Sequence, residues 1–179
     1  MLNHASAEPS SVMSPPHLLI SKIGPESDVL LRNLFEHYIH DVAEWFGIDT
    51  KADGSYSYDT SVVWANGYDA YLVKVDDSIA GFALIGLAVE WLGYVGAHDV
   101  REFFVIRRFR RRGVGERMAT LLWNERPGEW LVRVLEANTP AVLFWRTAIS
   151  NHSHGSYKEE GRIVSGRRWR FFRFVSNGP

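Results

Sequence analysis

The sequence predicts an α/β fold, a mixed and mostly antiparallel sheet covered by helices. Three observations predict it. Strand-like and helix-like segments follow one another in the order β, α, β, β, β, α, β, α, β, β, and strands interleaved with helices place a sheet under helices. Two pairs of strand-like runs are joined by short turn signals, Asp76-Asp77-Ser78 and Ser165-Gly166, so antiparallel hairpins are mixed into that sheet. Residues 99–122, DVREFFVIRRFRRRGVGERMATLL, pass from an apolar run through a basic glycine-containing turn into helical spacing.

Taken in order, residues 17–23 (HLLISKI) read as the first strand, and Gly24-Pro25 ends it. Residues 26–46 carry Leu30, Leu31, Leu34, Tyr38, Val42 and Trp45 at helical period, with Gly47 placed to stop the helix. Residues 51–68 are polar and aromatic, with Asp53-Gly54 and Asn66-Gly67 as turn signals, and are expected to be irregular. Residues 70–75 and 79–89 form the first hairpin, and 91–98, with two glycines, lead to the next strand at 100–106. Val114, Met118, Leu121 and Leu122 then mark a helix. After Pro127-Gly128 comes a strand at 129–135. Asn138-Thr139-Pro140 opens a helix carrying Ala141, Val142, Phe144, Trp145 and Ala148. Residues 151–156 read as a polar turn, and 157–164 with 168–175 as the closing hairpin.

Length and composition set the limits. At 179 residues the chain is expected to form one domain, residues 17–179, with enough length for a sizeable core. Residues 1–16 are rich in Ser, Pro and Ala, lack an apolar signal-peptide core, and read as a flexible tail. A net charge of −1 argues against general attraction to nucleic acid or to a membrane surface. With no cysteine, disulfides, thiolate metal sites and a cysteine acyl-enzyme are excluded. No run approaches membrane-spanning length, and the expectation is a cytoplasmic protein.

The chemistry concentrates in the turn of residues 107–115. A helix start offers unpaired N–H groups and the positive end of the helix dipole, and both favour an anion. Gly113 and Gly115 let the backbone approach that anion closely. Arg110, Arg111 and Arg112 add charge-assisted donors for phosphate oxygens. A P-loop would need Lys and Ser/Thr after the second glycine, which are absent. A dinucleotide-binding turn would need a glycine where Met118 stands. What remains is Arg110-x-x-Gly113-x-Gly115 after a strand, followed 23 residues beyond Gly115 by Asn138-x-x-Ala141-x-x-Phe144-Trp145.

These two motifs resemble the coenzyme-A-binding motif and the downstream Asn-x-x-Ala-x-x-(Phe/Leu)-Tyr motif of the GNAT superfamily of N-acetyltransferases. The stretch is also similar to a bacterial subgroup of predicted acetyltransferases with an EFFV…RRRGVG…W…N.PA..FWR pattern. The resemblance spans roughly residues 18–175 and implies the GNAT fold, with its second helix in the 51–68 region and its fourth and fifth strands, here 100–106 and 130–135, splayed apart. It implies acetyl-CoA as co-substrate, without a metal. The cofactor-binding set is Phe104, Val105 and Ile106 on the strand, Arg110, Arg111, Arg112, Gly113, Val114, Gly115 and Glu116 at the turn and helix start, and Asn138 and Trp145 on the later helix. The backbone N–H of Val105 is implied to polarise the thioester carbonyl. The acceptor is implied to be a primary amine, on a small molecule or a peptide, in a monomer or homodimer that binds neither nucleic acid nor membrane.

Glu102, an acid in an otherwise apolar strand three residues before Val105, is the general-base candidate, acting directly or through water. The alternative is a carboxylate paired with Arg101 or another arginine. Asp99, at the start of the strand, is the second candidate or a solvated residue. Many members of the family carry a tyrosine as general acid where Trp145 stands, and an indole N–H is no proton source at neutral pH. Tyr94 and Tyr157 are available, and no sequence feature places them. Asn138 has two readings, a helix cap or a cofactor contact. The six arginines of residues 107–117 could form a nucleic-acid patch, but aromatic interleaving is minimal. His37-x-x-His40-Asp41 and His152-x-His154 have metal-like spacing without further ligands, and read as structural or solvated. Trp45, Phe46, Tyr56, Tyr58, Trp64 and Tyr68 flank the usual acceptor region, either as a pocket wall with Asp41 or Glu44 attracting a cation, or as core. The alternative to an enzyme is an acyl-CoA-binding or regulatory domain, which Trp145 keeps open.

Overall fold

A computed structural model describes residues 17–89 and 93–178. The expected tail, residues 1–16, and the start of the 91–98 connection, including Trp91, lie outside the described residues. The elements are β1 (Leu18–Ile23), α1 (Asp28–Phe46), α2 (Ser61–Ala65), β2 (Asp69–Val75), β3 (Ser78–Leu87), β4 (His98–Val105), α3 (Val114–Glu125), β5 (Gly128–Leu135), α4 (Thr139–His152), β6 (Tyr157–Val164) and β7 (Arg167–Ser176). Single 3-10 turns precede α1 (Pro25–Ser27) and follow β4 (Arg107–Phe109). The strands make a seven-stranded sheet of order β1-β2-β3-β4-β5-β7-β6. Its pairs are antiparallel except β4 with β5, which run parallel. This is the mixed α/β architecture that the alternation of periods predicts.

Strand alternation divides the apolar side chains between the two faces of the sheet. On β2, Tyr71, Val73 and Val75 enter one cluster, and Ala70 and Leu72 the other. On β3, Ala83 and Ile85 join the first, and Phe82 and Leu84 the second. The first cluster is covered by α3, through Val114, Met118, Leu122 and Trp123, and by α4, through Val142, Trp145 and Ile149. The second is covered by α1, through Leu31, Leu34, Phe35 and Ile39, with Val63 of α2. The sheet therefore separates α3 and α4 from α1 and α2.

Several expectations are refined. The buried stripe of α1 runs through Leu31, Leu34, Phe35 and Ile39, not through Val42 and Trp45, because α1 docks by its middle and its last turn passes beyond the sheet core. Gly47 ends it in the left-handed conformation, φ +61°. The 51–68 segment, irregular by its turn signals but assigned the second helix by the family resemblance, holds the five-residue α2. Asn151 and His152 belong to α4 and not to the following turn.

One irregularity decides the site. Along β4, Leu84 pairs with Glu102 and Ile85 with Val100, so Arg101 is an extra residue, a β-bulge. On a regular strand, Val100 and Phe103 would face opposite sides. With the bulge, Val100, Phe103 and Val105 all face the α3/α4 cluster, and Phe104 faces the α1 cluster. Glu102, alternating with Phe103, is thereby turned toward α1.

Candidate active site

The parallel pairing of β4 and β5 covers only His98 with Trp130, Asp99 with Leu131 and Val100 with Val132. Both strands continue, β4 to Val105 and β5 to Leu135, so beyond the bulge they part and leave a gap. The N–H of Ile106 donates to Ala80 O at 2.8 Å. Because antiparallel bonding alternates every second residue, the N–H and C=O of Val105 point away from β3, into this gap. The carbonyl accepts from Arg110 Nε at 2.6 Å, and the N–H of Val105 is the donor left facing the gap.

Below the gap lies the basic turn. Phe109 and Val114 are buried in the first cluster and anchor it, while Arg108, Arg111 and Arg112 are exposed. Arg111 takes φ +58° and Gly113 φ +73°, the left-handed region where glycine carries no steric penalty. Gly113 is the N-cap of α3. The first bond back to it is from Arg117 N–H to Gly113 O, 3.0 Å, so the N–H groups of Val114, Gly115 and Glu116 precede the helical ladder. A Cβ on Gly115 would lie 3.1 Å from Phe144 and 3.7 Å from Val105. The second glycine thus sits where α3, α4 and the end of β4 converge.

The side chains of the expected cofactor set divide. Arg110 is directed inward: besides Val105 O it bonds Asp41 of α1, which also accepts from Arg107 Nε at 2.9 Å. Asp41 is therefore engaged by two arginines and is not free to attract a cationic acceptor. Glu116 accepts from Asn151 Nδ2 at 2.8 Å, tying α3 to α4. Asn138 caps α4, its Oδ1 accepting from Ala141 N–H at 3.1 Å. Trp145 is buried against Phe103, Trp123 and Phe144. Phe144 is the neighbour of Gly115. Ile106 packs between the two clusters, and the ring of Phe104 lies in the α1 cluster. By the same alternation Phe104 and Ile106 turn their main-chain N–H and C=O to β3, so of the three strand residues expected to hold the cofactor Val105 is the one with main-chain groups directed at the gap.

Glu102 is reached from the other face. Its Oε2 accepts from Tyr38 Oη of α1 at 2.5 Å. Among the described residues its Oε1 has no hydrogen-bond partner, and the residue is partly exposed. Burial pushes its carboxyl up to about 7, against the Tyr38 hydrogen bond and the positive charges of Arg101 and Arg133. Arg101 does not pair with it: that guanidinium bonds Asp99 at 2.9 Å and lies over the Tyr68 ring. Asp99, for which a solvated position was one expectation, is wholly buried. Arg133 of β5 also bonds it, at 2.8 and 3.2 Å, because parallel pairing with Leu131 puts Asp99 beside the Arg133 side chain. It serves as the bridge joining β4 to β5 just before they separate.

Tyr38 and Arg133 are the site residues that sequence patterns miss. Tyr38 reads as part of an apolar stripe, and its hydroxyl partner lies 64 positions away. Of the other tyrosines, Tyr94 bonds Glu160 and Arg162, and Tyr157 packs near Phe172 on the edge strand β6. Tyr58 stacks on Phe35, centroids 4.1 Å apart; Trp64 donates to Asp28 at 2.9 Å; Phe46 packs on Trp169. His40 lies 3.3 Å from Tyr56 Oη and His152 2.9 Å from Ser176 Oγ. An open cavity of ≈ 720 Å³ lies between α1 and residues 53–61. Its carboxylates are taken up locally: Asp28 by Thr60 and Trp64, Glu36 by the Tyr56 and Ser57 amides, Asp53 by Ser55. The residues singled out by the sequence motifs, Val105, Arg110 and Gly113 to Glu116, lie at the gap and the basic turn instead.

No protein-family model and no curated protein matches the chain. Solved structures do match it. An acetyltransferase from Thermus thermophilus is similar with a TM-score of 0.66 at 13% identity, over 91% of this chain and 99% of that one. The spermidine N-acetyltransferase from Vibrio cholerae, solved in complex with CoA and spermine, gives 0.61 at 11% identity, over 89% and 95%. A GNAT-family acetyltransferase from Bacillus cereus gives 0.59 at 13%, over 89% and 98%. The fold of this chain is that of the GNAT acetyltransferases.

Proposed function

We propose that this protein is an acetyl-CoA-dependent N-acetyltransferase that passes an acetyl group directly to a primary amine. The observation that carries this reading is the parting of β4 and β5 directly above a glycine-capped helix start. It offers in one line a free strand amide, three unladdered helix N–H groups and exposed arginines, the donors that a long ligand with an acyl end and a pyrophosphate requires.

The residues fit that group. The N–H groups of Val114, Gly115 and Glu116, with Arg111 and Arg112, hold the pyrophosphate. The main chain of residues 104–106 borders the pantetheine arm, with Phe144 and the Asn138 end of α4 opposite. Acetyl-CoA supplies the activated acyl group as a thioester. The N–H of Val105 is the donor available to a thioester carbonyl in the gap. Glu102 approaches from the α1 side, so an acceptor amine comes from the face opposite α3 and α4. Glu102 Oε1 takes the proton that the attacking amine loses, directly or through water. A carboxyl held near 7 is half-ionised at neutral pH and suits that exchange. The new N–C bond forms as the C–S bond breaks, and the departing thiolate takes a proton from solvent, since the buried indole of Trp145 supplies none.

A second reading, an acyl-CoA-binding domain with little turnover, is favoured by the burial of Trp145 where the related family carries tyrosine. The test is a screen of amines with acetyl-CoA, monitoring free thiol, on wild type and Glu102→Gln. Wild type is expected to turn over, and Glu102→Gln to be slower by about 10²–10⁴-fold with acetyl-CoA affinity unchanged. Acetyl-CoA binding with no turnover on any amine class selects the second reading.

A further inference from the structure

Glu102 is held by a residue on the other side of the acceptor face. Tyr38 places its ring among Phe35, Phe82 and Phe104, with centroids 5.9, 5.9 and 5.8 Å away and near edge-on to Phe35 and Phe82. Such edge-to-face contacts fix a ring's orientation as well as burying it. Fixed in this way, the hydroxyl meets Glu102 Oε2 at 2.5 Å. On the strand side, the bulge at Arg101 aims the carboxylate at α1. The two oxygens are thus inequivalent: Oε2 is bonded within the protein, and Oε1 has no partner among the described residues.

We propose that Tyr38 is a positioning residue for Glu102, locking Oε2 so that Oε1 alone exchanges the proton of the acceptor amine. The inference rests on the assignment of Glu102 as the base. The charged and titratable groups around that carboxyl are Tyr38 from α1, Tyr58 from the segment before α2, Asp99 and Arg101 from β4, and Arg133 from β5. Asp99 disfavours the ionised carboxyl; Tyr38, Arg101 and Arg133 favour it. Tyr38 itself stays protonated, since burial and the Glu102 charge hold its pKa well above the ordinary tyrosine value, so it remains a donor throughout the neutral range. Arg101 and Arg133 are both tied to Asp99, which leaves Tyr38 as the direct hydrogen-bond partner of the carboxylate. Removing its hydroxyl takes a donor from the ionised form and must raise the pKa of Glu102.

The primary readout, a titration, needs no acceptor. Full-length protein carrying ¹³C at the glutamate δ-carboxyl is titrated by NMR as wild type, Glu102→Gln and Tyr38→Phe. The resonance lost in Glu102→Gln is that of Glu102, and its wild-type midpoint is expected near the value of about 7. In Tyr38→Phe, which keeps the ring and its packing, the midpoint is expected to rise by about one pH unit. The acid limb of kcat/KM should move with it in the amine assay, at unchanged KM for acetyl-CoA. An unchanged midpoint in Tyr38→Phe overturns the inference and leaves Glu102 as base untouched. Full turnover in Glu102→Gln overturns the assignment of the base itself, and with it this inference, so the two failures read differently.

Discussion

Asp99 and Glu102 stand three positions apart on β4, turned to the same face by the bulge between them, and are held in opposite ways. Asp99 has no exposed surface and two guanidinium partners. A buried pair broken from one side leaves uncompensated charge, so Asp99→Ala should lose about 3–5 kcal/mol in denaturant unfolding; a loss below about 1 kcal/mol would show that the bridge is not structural. Glu102 has one hydroxyl partner and a raised pKa. For a carboxyl raised in the folded state, the unfolded chain ionises first. Its contribution to stability is therefore greatest below the ordinary value of 4.5, falls as pH rises to the folded value of about 7, and levels off above it. Thermal melts between about pH 5 and 8 should show that decline, and Glu102→Gln should flatten it; an identical slope in the variant would contradict the assignment. Glu102 was legible in the sequence, because an acid inside an apolar strand is conspicuous. Asp99 was not distinguished from a solvated carboxylate, since its partner Arg133 comes from another strand. Tyr38 was illegible for the same reason: periodicity places a tyrosine on a buried stripe but does not say what its hydroxyl meets.

Among the helices and strands, what periodicity resolves depends on length. The long helices and the hairpins appear where their periods and turn signals put them. The five-residue α2 is too short to show a period, and the bulge at Arg101 is visible only through the pairing of β4 with β3. That bulge matters most, because it selects the face of Glu102 and coincides with the parting of β4 from β5. The start of α4 carries a dual expectation, cap or cofactor contact, and the hydrogen bond from Ala141 N–H to Asn138 settles the first half. Asn138→Ala should cost about 1 kcal/mol of stability, checked by chemical denaturation. A further loss of acetyl-CoA affinity in that variant is the signature of the second role, and unchanged stability would contradict the capping one.

For the fold taken together, the sheet works as a partition. The glycine-capped end of α3 and the apolar face of α4 lie on one side, Tyr38 and the aromatic residues packed about α1 on the other. The gap between β4 and β5 is the place where the two faces communicate. A nucleotide-bearing ligand from one side and an amine from the other would meet at Val105 and Glu102. The arrangement was readable from two short motifs at the right separation, because main-chain geometry at glycines is written into sequence. The acceptor was not, because side chains that converge from distant elements leave no local pattern in the sequence. The cradle at the start of α3 is tested most directly by calorimetry of acetyl-CoA and desulfo-CoA binding to wild type and to Gly115→Trp, with thermal melts confirming that the variant folds. Wild type should bind both ligands in the micromolar range and Gly115→Trp neither, since the new side chain would fill the space beside Phe144 and Val105. Absence of binding to the wild type would mean that the turn at residues 107–115 is only a basic surface loop.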